Sequence, residues 1–132
     1  MSTATPQSSV GADPPVDAWE VVAECLDRFA AAWNGAPQPP SLRDFLPRDG
    51  GDTHLVLLEL IKLDMEYRWN AEIPLRVEDY LREHGESFAA RSTPLELVVE
   101  ELHLRRKHER TFDPATYRAR FPELAERLQP FL

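Results

Sequence analysis

Residues 52–69 read D-T-H-L-V-L-L-E-L-I-K-L-D-M-E-Y-R-W, and this stretch decides the fold class. Leu55, Leu58, Ile61, Met65 and Trp69 recur every three or four positions, the period of one helix face. Leu57, Leu60, Leu63 and Tyr67 widen the apolar arc beyond a single stripe, which predicts a central helix packed on two sides. Asp52 is placed to cap its start. Glu59, Lys62, Glu66 and the i,i+4 pair Asp64/Arg68 are assigned to its solvated face.

Upstream, Trp19, Val22, Leu26, Phe29 and Trp33 mark another long helix. Asp17 fits its N-cap, with Glu20 at N3 and Val16 stapled against Val21. Glu24 and Arg28 form a surface pair, and Gly35 is the stop. Downstream, Thr93-Pro94-Leu95-Glu96 reads as a capping box with proline at the first helical position. Leu95, Val98, Val99 and Leu102 form the stripe of that third helix, and Arg105-Arg106-Lys107 complement its C-terminal dipole. Shorter helical pieces are expected at 41–46, 77–81 and 113–117, and from 121 to near Pro130. No segment alternates with the period of a strand, so the expected fold is all-α.

The pieces repeat. Setting Trp33-Asn34 over Trp69-Asn70 also matches Trp19 to Leu55, Val22 to Leu58, Cys25 to Ile61 and Phe29 to Met65. Phe45, Tyr80 and Tyr117 then mark the short helices. The expected organisation is a disordered tail over 1–16 and one helical domain over 17–132, in three degenerate long-helix/short-helix units, 17–48, 52–84 and 93–130. The stretch 85–92 interrupts the pattern. Nine of the twelve prolines lie beyond the tail, and all nine avoid the interiors of the long helices.

Composition sets further bounds. The chain has 132 residues, 42% of them hydrophobic, a net charge of −8 and one cysteine. One cysteine excludes an internal disulfide and a multi-cysteine metal site, and suits a reducing compartment. No basic segment followed by an apolar run marks a signal peptide, and no apolar run approaches the ~20 residues of a membrane span. A cytoplasmic protein with no membrane association is expected. Residues 1–90 hold 7 Lys and Arg against 16 Asp and Glu, while 91–132 hold 8 against 7. That acidic balance opposes nucleic-acid binding, including a basic-face reading of 105–120, because phosphate-binding domains present a net positive surface.

Candidate chemistry is sparse. His103 and His108 lie five apart, roughly 140° around a helix, and cannot share a metal from one face. Glu100 and His103 make the i,i+3 pairing of di-iron bundles, but no second such pair accompanies them. Cys25 reads as a small buried hydrophobe with no basic neighbour to activate it. The carboxylate pairs Asp64/Glu66, Glu78/Asp79 and Glu100/Glu101 read as solvated helix faces, since helical neighbours diverge. Trp33, Phe45, Trp69, Tyr80 and Tyr117 read as core packing. No phosphate cradle, nucleophile elbow or zinc-protease pair is present. No catalytic, cofactor-binding or metal residue is assigned, and a non-enzymatic chain is expected.

Three blocks carry a resemblance: F-A-A-A-W-N-G-A-P-Q-P-P-S-L-R-D-F-L (29–46), L-L-E-L-I-K-L-D-M-E-Y-R-W-N-A-E-I-P-L-R-V-E-D-Y-L (57–81) and E-L-V-V-E-E-L-H-L-R-R-K-H-E-R-T-F-D-P-A-T-Y-R-A-R-F-P-E-L (96–124). In this order and spacing they resemble the N-terminal region preceding the catalytic domain in many serine/threonine protein kinases of planctomycete-type bacteria. The resemblance covers about residues 19–130. It implies a regulatory segment whose kinase chemistry sits elsewhere. No Gly-rich loop, V-A-I-K lysine, H-R-D loop or D-F-G is present, so no catalytic residue carries over. The resemblance implies either an N-terminal fragment of such a kinase, which the abrupt end at Phe131-Leu132 fits, or a free-standing relative of that segment.

The expected function is a helical interaction or regulatory module. It would recruit a kinase domain, substrate or regulator, or self-associate. The candidate contact surface is the polar face of the second and third long helices, with Glu59, Glu66, Arg105 and Arg106. Ser2, Thr3, Thr5, Ser8 and Ser9 of the tail are candidate phosphorylation sites. The alternative is a stand-alone helical ligand- or metal-binding protein using Glu100, His103 and neighbouring carboxylates.

Overall fold

The computed structural model of the chain describes residues 16–35, 38–47, 53–88, 93–109 and 113–132. Among these residues every regular element is a helix, as the periodicity requires. The elements are α1 (Val16–Gly35), a 3-10 turn (Leu42–Phe45), α2 (Thr53–Asn70), α3 (Val77–Glu83), α4 (Gly85–Phe88), α5 (Leu95–His108), α6 (Pro114–Arg120) and α7 (Ala125–Leu128). Each long helix is followed by a short element in the expected order, with Phe45, Tyr80 and Tyr117 on the short elements, and α4 is an added short helix at the start of the expected interruption. The chain divides into two compact units whose boundary, between Val56 and Leu57, falls inside α2. The expected single domain over 17–132 has no boundary there. Tail residues 1–15 and the expected cap Asp52 lie outside the described residues, and α1 already includes Val16 and Asp17.

In the first unit, α1 buries Ala18, Val22, Cys25 and Phe29. This corrects the expected stripe: Trp19 is 44% exposed, and Leu26 and Trp33 are only half-buried. At about 100° per residue, Ala18, Val22, Cys25 and Phe29 fall on one narrow face, and that face is the one buried while the Trp19 indole lies beside it. Phe29 meets the short turn through Phe45, ring edge to ring face, with centroids 5.3 Å apart. Cys25 is buried, but it does have a basic neighbour. Arg28, expected to pair with Glu24, places Nη2 3.9 Å from Cys25 Sγ.

In the second unit, α2 buries Leu57, Leu60, Ile61 and Met65 completely, the wide arc its sequence predicts. Its C-terminus closes with Ile73 N–H donating to Arg68 O (2.9 Å) and Glu72 N–H to Trp69 O (3.2 Å). That paired closure requires a left-handed residue between, and here it is Glu72, at φ 63°, where glycine is the usual occupant. The α3 start is capped by the Asp79 carboxylate, which accepts from Arg76 N–H at 2.9 Å. At α6, Asp113 accepts from Ala115 N–H at 3.0 Å, with Pro114 at the first helical position. The capping box at 93–96 is corrected: α5 begins at Leu95, and Pro94 flanks it without a side-chain cap. Phe88 anchors α4 in the core. A 3-10 turn at Pro122–Leu124, then α7 and another at Gln129–Phe131, close the described chain.

Candidate functional site

The polar chemistry of the second unit is concentrated between its helices. Asp64 on α2 is 2% exposed. It accepts from Arg68 Nε at 2.7 Å and from the Tyr80 hydroxyl of α3 at 2.6 Å. Glu101 on α5 is wholly buried and accepts from the Tyr117 hydroxyl of α6 at 2.6 Å. Arg105 Nη2 lies 3.6 Å from that Glu101 carboxylate. The two clasps are the same device, an acid, an arginine one helical turn later and a tyrosine sixteen residues from the acid. In the first unit the equivalent spacing joins Phe29 to Phe45, and the contact is apolar.

The α5 clasp is larger. Arg120 donates Nη1 (2.6 Å) and Nη2 (2.9 Å) to Glu101. It also donates Nε (2.8 Å) and Nη2 (2.5 Å) to Glu78 on α3. Its guanidinium lies 4.9 Å from the ring centroids of both Tyr117 and Phe121. Val77 N–H, at the start of α3, gives Glu101 a further hydrogen bond of 2.9 Å. One buried carboxylate thus ties α3, α5 and α6 together.

Burial drives the Glu101 carboxyl upward, but the hydrogen bonds from Arg120, Tyr117 and Val77 outweigh it and hold it below its ordinary value. Tyr117 is pushed up to about 12 by burial and by the carboxylate it bonds. Tyr80 is raised by burial and by Asp64. Arg120 gains proton affinity because Glu78 and Glu101 outweigh its desolvation. These groups are locked into one ionisation state at neutral pH.

Two hollows of about 410 Å³ adjoin the clasp. The first is lined by Arg76, Arg105, Arg120, Glu109, Asp113 and Thr116, with Tyr117 at its wall. Arg105 there donates to Tyr117 (2.9 Å) and Glu109 (3.0 Å), and Arg120 is held by two carboxylates, so the hollow is near neutral. The second is lined by Trp69, Asn70, Glu72, Pro74, His108 and Glu109. His108 stacks on Trp69 with centroids 5.6 Å apart, and the Arg105 guanidinium lies 5.4 Å from the same indole.

The candidate contact residues separate. Glu59 pairs with Lys62 at 2.9 Å, and Lys62 reaches Glu96 of α5 at 3.2 Å. Glu66 faces Glu100, whose carboxyl is raised by burial and by that neighbouring charge. Arg105 is an internal pin of the clasp, while Arg106 is exposed and donates to Leu132 O at 3.2 Å. Glu59 and Glu66 therefore share the α2–α5 seam, and the two arginines stand elsewhere. His103 meets the Phe131 ring at 6.5 Å. Among the described residues no group of three His, Cys, Asp or Glu could hold a metal ion. Nor is any described helix long and apolar enough to cross a membrane.

The assignment of Asp64/Arg68 and Glu101 to solvated faces is corrected: both acids point inward. The signal was present as D-x3-R-x11-Y at 64–80 and E-x3-R-x11-Y at 101–117. Two copies of an acid, arginine and tyrosine at one spacing exceed what solvated faces need. No family model, curated protein or solved structure matches the chain.

Proposed function

We propose that the chain is a non-catalytic helical interaction module working with a bacterial serine/threonine protein kinase. It recruits a kinase domain, substrate or regulator, or brings copies together. The kinase association rests on the sequence blocks at 29–46, 57–81 and 96–124. The observation that carries the binding-module reading is the destination of the ionisable groups. Asp64, Tyr80, Glu101, Tyr117 and Arg120 are engaged with one another inside the fold. General acid–base or nucleophilic chemistry needs such groups facing a substrate, whereas a recognition scaffold needs them to fix its helices. In this reading the polar contacts come from Glu59 and Glu66 on the α2–α5 seam and from exposed Arg106, with a reducing, cytoplasmic setting.

The test is calorimetric titration of the purified chain against the serine/threonine kinase domains of its own genome, with sedimentation analysis of the chain alone. A saturable complex or a defined oligomer supports the module. Kd values weaker than about 1 mM for every kinase domain, together with a strictly monomeric chain, would overturn it.

A further inference from the structure

The turned face of α1 carries the inference. At about 100° per residue, Ala18, Val22, Cys25 and Phe29 share one side of the helix, and that side is buried. Trp19, Leu26 and Trp33 lie on a neighbouring strip, seven residues apart, with Ala23 and Ala30 between them. Trp19 is 44% exposed, Ala23 is exposed, and Leu26, Ala30 and Trp33 are half-buried. An apolar repeat of seven is the spacing that keeps a seam facing a second helix, because each heptad returns within about 20° of the same direction. An exposed tryptophan in such a strip supplies the large, rigid contact area typical of an interface anchor.

The charges beside the strip indicate the occupant. Glu20, Glu24 and Asp27 are all exposed and fall together on the side of the strip away from the buried face. A second copy of α1 would bring the same acidic row, so like charges would meet. A helix with basic flanks would meet opposite charge instead. We infer that α1 docks an amphipathic helix of a partner protein, apolar along one seam and flanked by lysine or arginine. The inference rests on the interaction-module reading and names the chemistry of the partner.

The experiment uses the full chain and a synthetic helical peptide of about three heptads, with leucines at the seam and lysines at the flanking positions. Its controls are the same peptide with glutamate flanks and a scrambled lysine peptide of identical composition. Calorimetry should show one site for the lysine peptide, with affinity falling as salt is raised. Trp19→Ala should weaken it by roughly tenfold or more. Because Trp19 is exposed, circular dichroism of that variant should match the parent. Glu20→Gln with Asp27→Asn should weaken binding less and flatten the salt dependence. Binding equal to that of the scrambled peptide, unchanged affinity in Trp19→Ala, or preference for glutamate flanks would overturn the inference. Self-association abolished by Trp19→Ala would also overturn it, by identifying a second copy as the occupant. A chain that binds a kinase domain equally well with Trp19→Ala, and ignores the lysine peptide, leaves the module reading standing while the docking strip fails.

Discussion

Replacing Glu101 with glutamine tests the clasp directly. The substitution keeps shape and volume but removes the charge and turns one acceptor oxygen into a donor amide. Glu101 Oε1 accepts from Val77 N–H (2.9 Å) and Arg120 Nη2 (2.9 Å). Oε2 accepts from Tyr117 (2.6 Å) and Arg120 Nη1 (2.6 Å). Whichever way the amide turns, its NH2 group meets an Arg120 N–H, which can only donate. Hydrogen bonds to a charged group contribute about 1.5–3 kcal/mol each. Breaking a buried pair by removing one partner costs about 3–5 kcal/mol. Glu78 retains part of the Arg120 charge, so the expected loss is about 3–4 kcal/mol.

Asp64→Asn is the internal control. Two of the Asp64 interactions, with Arg68 Nε and the Tyr80 hydroxyl, converge on Oδ2. An asparagine carbonyl oxygen can take that place and keep both bonds. Its expected cost is about 1–2 kcal/mol. Urea unfolding followed by far-ultraviolet circular dichroism measures the difference, with equal m-values confirming comparable unfolding. If Glu101→Gln does not fold, Tyr117→Phe removes the hydroxyl that donates to Glu101 and accepts from Arg105, and should cost about 1–2 kcal/mol. Glu101→Gln losing no more than Asp64→Asn would refute the reasoning. So would a Tyr117→Phe variant as stable as the parent. The pH dependence follows from the lowered Glu101 carboxyl. Its contribution is complete above the ordinary value of 4.5 and is lost as pH falls through the lower folded value. The gap between parent and Glu101→Gln should therefore close only in acid.

Glu100 behaves in the opposite sense, because burial and Glu66 raise its carboxyl. Its charge opposes folding at neutral pH, so Glu100→Gln should stabilise there by a few tenths to about 1 kcal/mol. That gain should vanish below 4.5, the ordinary value, in urea titrations across pH. Glu72→Gly should raise stability by up to about 1 kcal/mol, since glycine occupies the left-handed position without steric cost; a loss in thermal melting would contradict this. Arg105→Ala should cost about 1–2 kcal/mol through its bonds to Tyr117 and Glu109. Arg106→Ala should stay within about 0.5 kcal/mol, and equal effects in parallel melts would show that Arg105 is no pin.

The helices were legible because helix formation is read from local spacing. The three-to-four residue recurrence at 55–69, prolines confined to helix ends, and Asp113-Pro114 at a start needed no distant partner. The short helices carrying Phe45, Tyr80 and Tyr117 were legible for the same reason. Periodicity did not identify the α1 face that seats, because Trp19, Leu26 and Trp33 repeat as regularly as Ala18, Val22, Cys25 and Phe29. That choice depends on how closely the neighbouring backbone approaches.

The sequence by itself thus determined an all-helical chain of long helices followed by short ones. Only the tertiary structure decided that Asp64 and Glu101 turn inward. A carboxylate is stable in a core when donors arrive to replace its water. Those donors are Tyr80, Tyr117 and Arg120, sixteen to nineteen residues away. An acid's own neighbours on the helix do not reveal whether such donors arrive; the folding back of the next helix does.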